Sequence, residues 1–144
     1  MRRTIGYISP NIITKNNQAI EKYKLFFTTS YSTNATNPPE VIVGDRGTVC
    51  TETFLLIGPF TNKIYQMNCH KFISTNFFKI LLFFGRGTMQ VSQDVFRFVP
   101  LQDFSSSSDI DWNKSITEID QQLYAKYHLT NEEITFIESM IKPM

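Results

Sequence analysis

The hydrophobic rhythm of this chain changes several times along its length, and each change predicts an element. Residues 5–14 alternate loosely and contain Pro10, the pattern of an edge strand or an extended arm. Residues 17–23 suit a short helix, and Lys24-Leu25-Phe26-Phe27-Thr28 suits a strand. Residues 29–40 are polar and turn-rich, with Pro38-Pro39 near their end, and predict a mobile loop. Val41-Ile42-Val43 restarts a strand that Gly44-Asp45-Arg46-Gly47 turns. Residues 51–58 give the clearest strand signal. Thr53-Phe54-Leu55-Leu56-Ile57 is the continuous run of a strand buried on both faces, and Gly58-Pro59 ends it.

Residues 62–84 carry a helical pattern with a break near Ser74-Thr75, stopped by Gly85-Arg86-Gly87. Residues 95–99 predict a strand closed by Pro100, and the serine run at 105–108 predicts a linker. Two capping boxes follow, Ser115-x-x-Glu118 and Thr130-x-x-Glu133, in which hydroxyl and carboxylate satisfy each other's orphan backbone donors. Behind them, Ile116, Ile119, Leu123 and Tyr127 share one helix face, and Ile134, Ile137 and Ile141 share another. The mixture lacks a regular βαβ rhythm. It predicts an α+β fold: a mixed sheet with packed helices plus a C-terminal helical hairpin. The expected division is a body over 1–104 and a linker with helical tail over 105–144.

Length and composition set bounds on this picture. A chain of 144 residues fits one domain, or one domain with an appendage. The longest apolar stretch, Phe77-Phe78-Lys79-Ile80-Leu81-Leu82-Phe83-Phe84, is far short of the ~20 residues a membrane helix needs. Two arginines open the chain without an apolar segment behind them, so no signal peptide is expected. Cys50 and Cys69 form no CxxC pair, which fits a reduced, cytoplasmic chain. The formal charge of +1 hides an asymmetry. Residues 1–102 carry eleven Lys/Arg against five Asp/Glu, and residues 103–144 carry three against eight. A basic body with an acidic tail points to a polyanionic partner for the body.

Two fragments imitate methyltransferase motifs. Asn37-Pro38-Pro39-Glu40 has the start of the Asn-Pro-Pro-aromatic motif, but Glu40 stands where a ring must stack on the target base. Phe83-Phe84-Gly85-Arg86-Gly87 has the spacing of a cofactor-binding glycine turn. Such a turn follows a strand and opens a helix, whereas this one follows a predicted helix. Cys69-His70 has no second ligand pair for a zinc site, and His128 sits at a predicted helix end. No catalytic residue, cofactor site or metal site is therefore assigned. The assigned set is polar and basic: Lys15, Lys24, Arg46, Arg86, Thr88, Gln90, Ser92 and Gln93 as DNA-binding residues. Arginine and glutamine read guanine and adenine edges in the major groove, while lysine, serine and threonine commonly hold phosphates.

Phe96-Arg97-Phe98-Val99-Pro100-Leu101-Gln102-Asp103-Phe104 resembles an element near the end of many bacterial adenine-specific restriction-modification DNA methyltransferases. Residues 111–116, 118–124, 127–134 and 136–141 resemble that family's tail. Ile13-Thr14-Lys15-Asn16, Tyr23-Lys24, Cys50-Thr51-Glu52-Thr53-Phe54 and Gly58-Pro59-Phe60 resemble the region between its catalytic domain and tail. The chain departs from the family at His128, where glycine is usual, and at Gly85-Arg86-Gly87, where the family is more basic. The resemblance implies the C-terminal target-recognition region of such an enzyme, type II or IIG-like, without its catalytic domain. It implies double-stranded DNA and a methyltransferase catalytic domain or subunit as partners. S-adenosylmethionine, and with it a divalent metal where the parent is an endonuclease, belongs to the implied parent enzyme. The two alternatives are a module that docks to a separate methyltransferase or restriction subunit, and a small stand-alone DNA-modifying enzyme.

Overall fold

A computed structural model describes residues 4–141. Its centre is a three-stranded sheet in the order β2-β1-β3, formed by β1 (Tyr23–Thr28), β2 (Ile42–Gly44) and β3 (Phe54–Phe60). The α+β class is as expected, and both strand pairings are antiparallel rather than mixed. β1 takes the middle place because its Leu25-Phe26-Phe27 run is buried on both faces. Leu25 and Phe27 point into the main core, and Lys24 and Phe26 point to the other face. Gly44, opposite Lys24, is required there: a Cβ would lie 2.7 Å from the Phe26 ring.

β3 differs from its prediction in two ways. It is an edge strand, half-buried along Phe54 to Ile57 instead of covered on both faces. It also runs through Gly58-Pro59 to Phe60, with a cis peptide at the proline. A proline is tolerated at an edge because no neighbour needs its missing N–H. The register irregularity between Tyr23 and Leu25 absorbs the extra residue, pairing Tyr23 with Phe60 and Leu25 with Ile57.

The helical segment splits where the sequence predicts. α1 (Lys63–Ser74) and α2 (Asn76–Gly85) are separated by Thr75, whose extended backbone ends one helix and caps the next. The Thr75 hydroxyl accepts the Phe78 N–H at 3.1 Å. α1 lies on the sheet. Its wholly buried Gln66 donates to the carbonyls of Lys24 (2.7 Å) and Gly44 (2.9 Å), pinning the helix to two strands at once. Both capping boxes are formed, at the starts of α3 (Ile116–Lys126) and α4 (Asn131–Met140). α3 and α4 both pack on α2.

Of the two forms expected for residues 5–14, edge strand or extended arm, the structure has the arm, exposed and with a 3-10 turn at Pro10–Ile12. Two other expectations change. The expected helix over 17–23 is only a 3-10 turn at Asn17–Ala19, and Tyr23 already belongs to β1. The predicted strand at 95–99 is a 3-10 turn, Gln93–Phe98. The Val95/Arg97/Val99 alternation imitates a strand. Asp94 and Arg97 instead sit one tight turn apart and form an ion pair, the contact that three residues per turn eclipses. Val95 and Phe96 pack inward, Phe96 against Phe27 and Phe78.

One hydrophobic cluster spans both sides of the expected boundary at 104/105. Leu25, Phe27, Phe72 and Phe78 share it with Trp112, Ile119, Leu123 and Ile137. Trp112 is buried against Phe72 and Phe104, and its indole N–H donates to the Asp103 carbonyl at 2.9 Å. The serine run is a bracketed turn in place of an open tether: the Asp103 carboxylate accepts the Ser105 N–H, and the Ser105 hydroxyl accepts that of Ser107. Gln102, also buried, donates to the Pro100 carbonyl and the Tyr127 hydroxyl while its own oxygen accepts from Lys126. The stretch from Gln102 to Trp112 is thus the seam joining body and tail.

Candidate nucleic-acid interface

The eight assigned residues fall into three groups. Lys24 and Arg86 are turned inward. Lys24 is 1% exposed, and its ammonium donates to the carbonyls of Ala19 (2.8 Å) and Ile20 (2.7 Å). Burial pulls its pKa below the usual lysine value, with Glu21 and Cys50 opposing. Arg86 is 8% exposed. Its Nη1 donates to the Tyr31 carbonyl (3.2 Å), and its Nη2 to those of Ser32 (2.9 Å), Thr33 (3.1 Å) and Ala35 (3.3 Å). The guanidinium lies 3.9 Å from the centre of the Tyr31 ring. The expectation that these two cations meet DNA is corrected: their charge is spent on backbone carbonyls inside the fold.

Lys15 and Arg46 form the second group, exposed and outside the segment that follows α2. Lys15 follows the N-terminal arm. Arg46 stacks 5.0 Å from the Tyr23 ring, at the start of β1. It stays exposed, on the turn after β2.

The third group, Thr88, Gln90, Ser92 and Gln93, lies at the far end of β1. There the chain beyond β1 pairs with the loop after α2 through an isolated antiparallel bridge, Ser30 opposite Gln90. The Val91 N–H donates to the Thr29 carbonyl (2.6 Å) and the Tyr31 N–H to the Met89 carbonyl (3.3 Å). These bonds flank the Ser30–Gln90 pair, which makes it the close type with both side chains on one face. Val91 is buried and Gln90 and Ser92 are exposed, so the strand-like alternation directs the polar side chains outward. Thr88 differs from its neighbours. Its hydroxyl accepts the Gln90 N–H and donates to the Gln90 carbonyl, bracketing the turn. The side chains of Ser30, Gln90 and Gln93 make no hydrogen bond within the described residues.

Sequence reasoning missed Ser30 and the 31–36 loop, because a polar, proline-containing stretch predicts mobility. A signal was present: neither 29–39 nor 87–93 contains a charged residue, although each lies in a basic body. Within the Asn37-Pro38-Pro39-Glu40 segment Pro38 is buried and Glu40 is exposed. The Phe83–Gly87 segment is the end of α2, as the helix pattern requires, with Arg86 as the extended cap residue. No group of three His, Cys, Asp or Glu that could hold a metal ion occurs among the described residues. The Cys69 thiol is pushed up to about 12 by burial, which leaves it an inert core group. No described helix is long and apolar enough to cross a membrane.

Comparison with protein-family models, with curated proteins and with solved structures finds no match for this chain.

Proposed function

We propose that this chain is a duplex-DNA recognition module, the target-reading part of an adenine-specific restriction-modification methyltransferase, working with a catalytic domain or subunit that supplies S-adenosylmethionine chemistry. The observation that carries this reading is the rim at the Ser30–Gln90 pair. Amide and hydroxyl groups with no internal partner project there from a hydrogen-bonded support whose other face is in the core. Groups of this kind match base edges, and a rigid mount keeps their register on the duplex. The charge asymmetry of the sequence and the family resemblance support the same reading. Arg46 and the rim lie at opposite ends of β1, about 20 Å apart along the strand, so the cation for phosphates and the neutral groups for base edges are presented at separate places on one body.

The test is fluorescence anisotropy of a mixed-sequence duplex at two salt concentrations. Binding should weaken steeply with salt, and Arg46→Ala should flatten that dependence by about one phosphate contact. Gln90→Ala should leave the salt dependence unchanged. Absence of binding at low salt overturns the proposal.

A second reading, a module that docks to a separate catalytic or restriction subunit, has its own observation. Phe84 and Phe136 are 63% and 48% exposed, and their rings stack at 6.2 Å beside an apolar groove of about 380 Å³ lined by Ile80, Leu129, Glu132 and Ile137. Exposed aromatic patches of this kind mark interaction sites. A Phe136→Arg chain that still binds DNA, but no longer co-elutes with a catalytic subunit, would assign the groove to docking.

A further inference from the structure

We infer that the 31–36 loop is a second base-reading loop, with Asn34 as the residue that meets a base edge and Arg86 as the positioning residue that holds it. This rests on the DNA-recognition reading above and adds to it a residue and a mechanism. The loop's backbone is turned inside out by one side chain. Four carbonyls, from Tyr31, Ser32, Thr33 and Ala35, converge on the Arg86 guanidinium within 3.3 Å. Nη2 has two protons for three of these acceptors, so the fan of carbonyls must curl tightly about it. Carbonyls directed inward leave the side chains of Ser32, Thr33 and Asn34 directed outward, and all three are exposed. The Ser32 hydroxyl accepts the Asn34 N–H at 3.4 Å, at the long end of the hydrogen-bond range, and braces the tip locally. The Asn34 amide itself has no hydrogen-bond partner among the described residues.

The loop joins the rim already described. Ser30 directly precedes it and is paired with Gln90, so two primary amides, Asn34 and Gln90, come from adjoining segments of one surface. Neither segment has a lysine or arginine free to take a phosphate, nor a carboxylate to repel one, since 29–39 and 87–93 are uncharged. A neutral surface of amides and hydroxyls is poorly suited to the backbone and well suited to the groove floor. There the Asn or Gln amide can donate to adenine N7 and accept from adenine N6 at once. Phosphate contacts then fall to exposed cations elsewhere, such as Arg46 and Lys15.

The test is selection of the full chain against a pool of random duplexes, with sequencing of the bound fraction. The wild type is expected to enrich a short motif containing an A·T pair. Asn34→Ala should relax preference at one position by roughly 10- to 100-fold, with melting temperature and salt dependence unchanged. Arg86→Lys keeps the charge but not the fan, and should relax the same position. If that variant does not fold, Asn34→Ala alone decides. An unchanged motif in Asn34→Ala overturns the inference and leaves DNA recognition standing. Binding without any enriched motif in the wild type also overturns it. No binding of any duplex overturns both.

Discussion

The buried carboxylate of Asp120, on α3, accepts the backbone N–H of Phe77, on the first turn of α2, at 2.9 Å. Its other oxygen accepts the Asn76 N–H, also at 2.9 Å. These are orphan donors of a helix start, so Asp120 fills from a distant part of the chain a role that a local cap usually fills. Glu138 of α4 completes the junction, accepting from the Asn76 amide and the Tyr124 hydroxyl. Burial raises the Asp120 carboxyl to about 6, against the two N–H donors and Lys79, with Glu138 adding to the rise.

That position makes stability depend on pH. The folded carboxyl holds its proton more tightly than the unfolded one, so its contribution is full below about pH 4 and is lost as pH rises through about 6. The loss is of order 2–3 kcal/mol. Urea unfolding at pH 5 and pH 7.5 should show lower stability at the higher pH, and Asp120→Asn should shrink that difference. Equal pH dependence in the two chains would refute the assignment.

Arg86→Ala should destabilise the chain by about 2–4 kcal/mol, because four carbonyls lose a charged donor and Tyr31 loses its stacked partner. Limited proteolysis should gain a cut within 31–36. A stable Arg86→Ala chain that resists protease would mean that the loop orders without the guanidinium. The same geometry means that lost DNA binding in this variant reports loop order and not a direct contact.

Trp112 fills a slot between Phe72 and Phe104, and Trp112→Ala should cost about 3–5 kcal/mol. Deleting 105–144 removes Trp112, Ile119, Leu123 and Ile137 from the shared core and should give insoluble or loosely packed protein. A soluble deletion with unchanged melting would show that the body holds its own core.

His128 stands in left-handed backbone (φ 55°) after α3. The Leu129 N–H donates to the Tyr124 carbonyl and the His128 N–H to that of Ala125, the two bonds of a Schellman ending. Glycine has no side-chain penalty there, so His128→Gly should raise stability by about 0.5–1 kcal/mol in the same urea assay. A fall in stability would show that the imidazole makes a contact worth more than the strain.

What the sequence makes legible is mostly local chemistry. The Thr75 break and both capping boxes depend on residues three or four apart, and all are found as read. The misreadings concern partners far apart in the chain. Arg86 and the carbonyls it holds are separated by 51 to 55 residues, and nothing near Arg86 in the sequence announces that its charge is already used. Lys24 misleads for a related reason, since its carbonyl partners at Ala19 and Ile20 are close but carry no side-chain signature. At 95–99 the alternation is real, but packing of Val95 and Phe96 on α2 and β1 decides the backbone. Residue type alone singles out Gln90 and Ser92 as candidates, whereas Ser30 and Asn34 become candidates only through a pairing and a clamp that the fold supplies.

The seam at Gln102, Asp103 and Trp112 bears on how such a module can be exchanged. A chimera that swaps only the loops of the sheet, grafted between positions already fixed by the core, keeps every tail contact. A chimera cut at the serine run divides one hydrophobic interior between two parents, each shaped for a different Trp112 socket. On the proposed DNA-recognition reading, new specificities are therefore better sought by exchanging 29–36 and 87–93 together on a constant scaffold than by joining halves.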